Sequence, residues 1–214
     1  MKRNLFFLFI FFSLIVYSQK YNLEIKVDSF IFRKQRIFID HFVDNRHSWL
    51  HPGAAELNSI QDGFLFYSNP FDFPYYDGKP INFDSSQDFE IDTKIKFISG
   101  DVQAVNGIFW GDLIFGVKFL LGFAQFGDYV VIKNRGIDEI KLGLTRLNIN
   151  RSGFNRLTVR KIGGYYYFYI NDQLIYKMNY RPISARYIGF FIAQKSYIQI
   201  AYLRVWKLVK KTKI

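Results

Sequence analysis

The 214-residue chain contains no cysteine, only 5 prolines and 3 histidines, and 18 acidic residues against 29 basic ones. Each shortage excludes something. Without cysteine there is no disulfide scaffold, thiolate zinc site, iron–sulfur cluster or cysteine nucleophile. Few prolines, in a chain that is 50% hydrophobic, rule out a disordered or collagen-like polymer. No Gly-x-Ser-x-Gly elbow presents a serine nucleophile. No glycine-rich phosphate loop is present either, because Gly163-Gly164 reads as a hairpin turn and not as the start of a helix. What the chain has in quantity is aromatic, with 25 Phe, 15 Tyr and 3 Trp, a composition that favours strands.

Residues 1–18, MKRNLFFLFIFFSLIVYS, begin with Lys2 and Arg3 and run through apolar residues from Leu5 to Val16, broken only by Ser13. That run is shorter than the roughly 20 residues that span a bilayer. Basic start, short apolar run and small Ser18 together predict a secretory signal peptide cleaved between Ser18 and Gln19. Its removal lowers the formal net charge from +11 to +9 and the aromatics from 43 to 37, so both excesses belong to the mature chain. No cysteine at the cleavage point can carry a lipid, and no second apolar stretch is long enough to span a membrane. The expectation is one exported domain over 19–214, periplasmic, cell-surface or extracellular.

From Gln19 onward the apolar period is two. In DFEIDTKIKF (88–97), Phe89, Ile91, Thr93, Ile95 and Phe97 alternate with Asp88, Glu90, Asp92, Lys94 and Lys96. One apolar and one solvated face predict an antiparallel sheet. Further strands are predicted at 37–43, 60–67, 107–115, 118–125, 129–133, 156–162, 165–170, 173–178, 187–193 and 197–206. Asp62-Gly63, Asp77-Gly78, Ser99-Gly100, Gly127-Asp128 and Asn171-Asp172 supply turns. Many short strands without a convincing amphipathic helix indicate an all-β, antiparallel two-sheet sandwich or jelly roll. In 197–206 the apolar phase slips by one, which predicts a β-bulge near Ala201-Tyr202. At the 165–178 hairpin two registers compete. The favoured one uses a three-residue turn, faces Tyr166, Phe168 and Ile170 with Leu174, Tyr176 and Met178, and leaves Lys177 beside the other tyrosines.

Six segments carry a likeness: FIDHFVDNRHSW (38–49), IQDGFLFY (60–67), DFEIDTKIKFISGD (88–101), GIFWG (107–111), FNRLTVRKIGGYYYFYINDQLIYKM (154–178) and IGFFIAQKSYIQIAYLRV (188–205). Together they resemble a domain of exported Bacteroidetes proteins in the concanavalin A-like lectin/glucanase superfamily, near the 3-keto-disaccharide hydrolase group of unknown function. The resemblance spans about residues 38–206 and implies a jelly roll whose concave sheet, in many members, binds glycans. Two positions depart from the pattern: Asp172 stands where the hairpin often has Gly, and Ala201 where the last strand often has Asp.

Catalytic constellations are incomplete. Laminarinase-type relatives use Glu-x-Asp-x-x-Glu, in which two carboxylates flank the scissile bond. Glu90-Ile91-Asp92 repeats the first half, but Ile95 occupies the third position, so a solvated strand face with alternating charge is expected instead. His41, His47 and His51, near Asp40 and Asp44, match no metal spacing and read as loop residues. Loop carboxylates such as Asp72, Asp77, Asp84 and Asp101 are chemically able to bind calcium, although without EF-hand spacing. No catalytic residue, metal ligand or cofactor is therefore assigned.

The aromatics are the lead toward a ligand, because Tyr and Trp combine a broad apolar face with a polar edge that suits sugars. The connection at 68–86 is long and predicted to be irregular, a frequent sign of function. Within it Phe71, Phe73, Tyr75 and Tyr76 form a candidate stacking platform, with Asp72 and Asp77 beside it. Trp110 with Asp112 is a second candidate, and Tyr165, Tyr167 and Tyr169 are a third. Arg156, Thr158 and Arg160 share a strand face, and Lys207, Lys210, Lys211 and Lys213 load the C-terminus. Export argues against nucleic acid as the partner of these cations and fits an acidic polysaccharide. The reading is a non-catalytic carbohydrate-binding module. Two alternatives stay open: a hydrolase or lyase of (3-keto-)glycosides, and a structural or protein-interaction module of the envelope.

Overall fold

The computed structural model describes residues 23–51, 57–112, 118–134, 148–183 and 186–211. The expected signal segment with its Ser18–Gln19 cleavage point, the end of the 107–115 strand and Lys213 lie outside them. The described residues form fourteen strands and no helix: β1 (Glu24–Val27), β2 (Phe30–Asp40), β3 (Asn58–Gln61), β4 (Phe64–Asn69), β5 (Tyr75–Pro80), β6 (Phe89–Gly100), β7 (Asn106–Gly111), β8 (Lys118–Phe123), β9 (Tyr129–Asn134), β10 (Asn155–Ile162), β11 (Tyr165–Ile170), β12 (Gln173–Asn179), β13 (Tyr187–Ile192) and β14 (Ser196–Lys210).

Two antiparallel sheets result. The larger runs β1-β2-β14-β6-β10-β11-β12, and β4 pairs with the first half of β14 and with β3. The smaller runs β5-β13-β7-β8-β9. The period-two pattern explains the packing between them. Ile91 and Ile95 of β6, Leu157 and Val159 of β10, and Leu203 and Val205 of β14 meet Ile108 and Trp110 of β7, Phe119 and Leu121 of β8, and Phe190 of β13. Each large apolar side chain removed from water in this way contributes about 1.5–3 kcal/mol.

The predicted bulge in β14 is present: pairing with β6 shifts between Ile200 and Tyr202. The extra residue lets Ile198 and Ile200, then Leu203 and Val205, all reach the core.

The β11–β12 hairpin corrects the favoured register. Its turn has two residues, Asn171 and Asp172, both with left-handed φ of 49° and 64°, as a type I′ turn requires. Tyr166 pairs with Met178 and Phe168 with Tyr176, facing the core as expected. The register then shifts, so Leu174 pairs with Tyr169 and is exposed on the opposite side. A two-residue turn followed by a bulge replaces the three-residue turn. Lys177 does lie beside the remaining tyrosines.

The 68–86 connection is less irregular than predicted, because β5 lies inside it. Asp77, Gly78 and Pro80 disguise that strand. Pro80 is tolerated because β5 is an edge strand, hydrogen-bonded only to β13. Gly78 leaves room for a neighbouring ring, since a Cβ there would sit 2.5 Å from Cζ of Phe109.

Candidate functional site

β5 takes the predicted four-ring platform apart. Successive strand residues point to opposite faces, so Tyr75 packs toward the core beside Tyr67 while Tyr76 turns outward onto Phe109 and Phe191. Phe71 and Phe73 precede the strand and stack on each other with centroids 5.0 Å apart, 40% and 60% exposed. Asp77 is buried. It accepts the Tyr67 hydroxyl at 2.5 Å and lies 3.2 Å from Nε2 of His51 and 3.4 Å from Nζ of Lys79.

Trp110 is likewise corrected. It has no exposed surface and stacks on Phe119 at 5.2 Å inside the sandwich, because its position on β7 faces the larger sheet. Asp112, just beyond β7, is also buried. Neither group is available to a ligand.

The third candidate leads to a larger arrangement on the face of the nine-stranded sheet turned away from the core. Directly opposed residues share a face. One cross-strand row runs Lys177–Tyr167–Arg160–Glu90–Trp206–Arg36 over β12, β11, β10, β6, β14 and β2. The next runs Leu174–Tyr169–Thr158–Asp92–Arg204–Ile39. Cations and rings interleave along the first row, and elsewhere on the face cations lie over rings. Arg160 lies 4.6 Å from the Tyr169 ring centroid, Arg204 3.7 Å from that of Tyr202, and Lys177 4.2 and 4.9 Å from those of Tyr165 and Tyr167. Such contacts hold the charged heads in place.

Glu90 and Asp92 sit at the middle of these rows, and the expectation of a solvated strand face fails there. Glu90 has no exposed surface and Asp92 almost none. Glu90 accepts hydrogen bonds at 2.6 Å from both Lys34 Nζ and Arg160 Nε. Asp92 accepts from Arg156 Nε at 2.7 Å and Nη2 at 3.1 Å, with the Thr158 and Tyr202 hydroxyls each at 3.4 Å. Long basic and aromatic side chains from β2, β10 and β14 lie over both carboxylates. Burial pushes the Glu90 carboxyl up, but the charges and hydrogen bonds of Lys34 and Arg160 outweigh it and hold the group below its ordinary value. For Asp92 burial wins and its carboxyl is raised, against the Arg156 hydrogen bonds and charge.

Of the predicted tyrosines, Tyr165 is 43% exposed, whereas Tyr167 is buried in a small cluster with Val27, Phe32 and Leu208. Beside Tyr165, at the β12 edge, a cleft of about 430 Å³ is lined by Tyr165, Tyr176, Lys177, Met178, Asn179 and Arg181.

The histidines are dispersed. His41 lies 6.0 Å from the Tyr202 ring, His47 4.6 Å from that of Phe38, and His51 beside Asp77. Burial, reinforced by Arg204 and opposed by Asp40, lowers the pKa of His41. The loop aspartates are occupied separately: Asp72 by Lys195, Asp84 by Ser86 and Asp101 by the Gln103 amide. Among the described residues no three His, Asp or Glu side chains gather as a metal site.

No protein-family model matches the sequence, and no curated protein does. Solved structures do. The endo-β-1,3-glucanase of Pyrococcus furiosus superposes with a TM-score of 0.59 at 12% identity, over 89% of this chain and 100% of its own. The fold is the glucanase-type jelly roll. A structure from work on endo-acting O-glycanases of the human gut microbiota gives 0.62 at 9% identity, over 82% and 100%. The CBM2 module of the evolved Dit of Lactobacillus casei BL23 phage J-1 gives 0.55 at 10%, over 85% and 99%. At these identities the likeness is one of fold. No helix among the described residues is long and apolar enough to cross a membrane.

Within this jelly roll, sequence reasoning found Tyr165 and the shared face of Arg156 and Arg160. It missed Lys34, Tyr202, Arg204 and Trp206 as parts of the same array. Strand parity alone groups residues within a strand, but Lys34 meets Glu90 across 56 positions of sequence, which only the strand order supplies.

Proposed function

We propose that the protein is an exported, non-catalytic carbohydrate-binding module whose ligand lies on the outer face of the larger sheet, at the β11–β12 side. The observation that carries this reading is the accessible Tyr165 ring at the edge of the 430 Å³ cleft, beside the cross-strand row in which Lys177, Tyr167 and Arg160 alternate. An aromatic face stacks on the C–H side of a sugar ring while adjacent polar groups fix its hydroxyls. The jelly-roll fold, shared with glucanases and a carbohydrate-binding module, supports the same class of ligand. Absence of catalysis is inferred from Glu90 and Asp92, which are closed to solvent and bound by cations. The apolar Ile95, buried in the core, stands where a second catalytic glutamate is needed. Export rests on the N-terminal pattern of 1–18. Calorimetry and affinity electrophoresis against a panel of neutral and acidic polysaccharides test the proposal. Binding that Tyr165→Ala weakens supports it, and no binding to any member ends it.

One observation favours a second reading, a hydrolase or lyase of (3-keto-)glycosides. Glu90 and Asp92 are two carboxyls on one sheet face whose surroundings push their pKa values in opposite directions, a pattern that elsewhere separates acid from base. Turnover of 3-keto-glycosides that disappears in both Glu90→Gln and Asp92→Asn would establish that reading in place of the first.

A further inference from the structure

The cleft beside Tyr165 is chemically one-sided. Its described lining holds two cations, Lys177 and Arg181, one amide, Asn179, two tyrosines and Met178, with no carboxylate among the described residues. The carboxylates of the adjoining face are committed, Glu90 and Asp92 beneath their cations and Asp172, at the β11–β12 turn, to Nη1 of Arg156 at 2.8 Å. Hydroxyls of a neutral sugar both donate and accept, and a lining of ammonium and guanidinium groups leaves their protons with few partners. Acid groups only accept, and charge-assisted bonds to them are about twice as strong as neutral ones.

The positive charge is also pre-arranged. Lys177 Nζ lies over two rings, Tyr165 and Tyr167, so less side-chain freedom is lost when it meets a ligand. Beyond it, Arg160 and Arg156 are paired with Glu90 and Asp92, while Lys94 and Lys96 occupy the same face of β6 as those carboxylates. Neither lysine has an ion pair among the described residues. A cationic sheet face of this kind draws in a polyanion and orients it along the strands.

We propose that the cleft takes an anionic sugar residue of a polysaccharide, a uronate or a sulfate ester, with Tyr165 stacking on the ring and Lys177 and Arg181 binding the acid group. This rests on the carbohydrate-binding reading. Titration calorimetry with polygalacturonate, dextran sulfate and neutral dextran, at low and raised salt, tests it on the whole chain. The expected result is that one or both acidic polymers bind at least about tenfold tighter than dextran, an advantage that shrinks with salt. Their ranking separates uronate from sulfate. Lys177→Ala, Arg181→Ala and Tyr165→Ala each weaken acidic binding about tenfold, with unchanged circular dichroism. Neutral polysaccharides bound as tightly as acidic ones, indifferent to Lys177→Ala and Arg181→Ala, would overturn the anionic class and leave the carbohydrate reading standing. Equal binding of inorganic polyphosphate, indifferent to Tyr165→Ala, would reduce the site to a simple polyelectrolyte surface and overturn both. So would the absence of binding to any polysaccharide.

Discussion

On β6, Ile91 and Ile95 face the smaller sheet and Glu90 and Asp92 face away from it, and all four are closed to solvent. The inner face is buried by apolar partners from a second sheet. Among the described residues the outer face has no second sheet over it and is buried by its own neighbours: Lys34, Arg156, Arg160, Tyr202 and Trp206 fold across the two carboxylates, and Val27, Phe32 and Leu208 close over Tyr167. The first kind of burial is driven by removing apolar surface from water. The second depends on complete pairing, because an ion left buried and unpartnered is costly. The comparison also bears on where the proposed ligand site sits. The outer layer thins toward β12, where Tyr165 is open and the cleft begins.

Truncation on the inner face gives the largest expected effect. Trp110→Ala removes a fully buried ring stacked on Phe119 and is expected to lower unfolding stability by about 3–5 kcal/mol, read from denaturant midpoints. On the outer face, Glu90→Ala leaves Lys34 and Arg160 facing each other without their carboxylate, with an expected loss of about 3 kcal/mol. If Glu90→Ala is as mild as an ordinary surface change, the outer face is not a packed charged layer and the comparison fails.

Acid titration sharpens the contrast between the two carboxylates. A carboxyl lowered by the fold, as Glu90 is, contributes stability that is present above its unfolded pKa and lost as pH falls through its folded one. Asp92, raised by burial, contributes in the opposite sense: its term is present at acid pH and lost as pH rises through the folded value. Glu90→Gln is therefore expected to cost more stability at pH 7 than Asp92→Asn, and the gap is expected to narrow by about pH 3. Urea midpoints of the two variants at both pH values decide this. A smaller effect is expected from Tyr67→Phe, which removes the donor to buried Asp77 and costs about 1–2 kcal/mol. Smallest of all, Phe73→Ser on the exposed stacked pair stays within about 0.5 kcal/mol.

The inner face was legible in the sequence because alternation reports one buried side directly: Phe89, Ile91 and Ile95 were placed correctly, and so was the β14 bulge. The same alternation misled on the outer face. Glu90, Asp92 and Lys94 read as solvated, and only Lys94 is exposed. Charge says that a side chain is polar, but not whether two arginines and a lysine from other strands will cover it. Strand β5 escaped because Gly78 and Pro80 are poor strand formers that an edge position next to the Phe109 ring accommodates. Trp110 escaped because a lone tryptophan reads equally as core or platform, and only the sheet pairing decides between them. Tyr165 and Lys177 were placed on one face because the hairpin brings them together locally.

The most direct measurement of the central claim is amide chemical-shift mapping of the isotope-labelled protein during titration with an oligogalacturonate. The account predicts saturable shifts concentrated on 165–181, with smaller ones on the neighbouring residues of β10, and their loss in Tyr165→Ala. Shifts centred on Phe71 and Phe73, or none up to millimolar ligand, would contradict it.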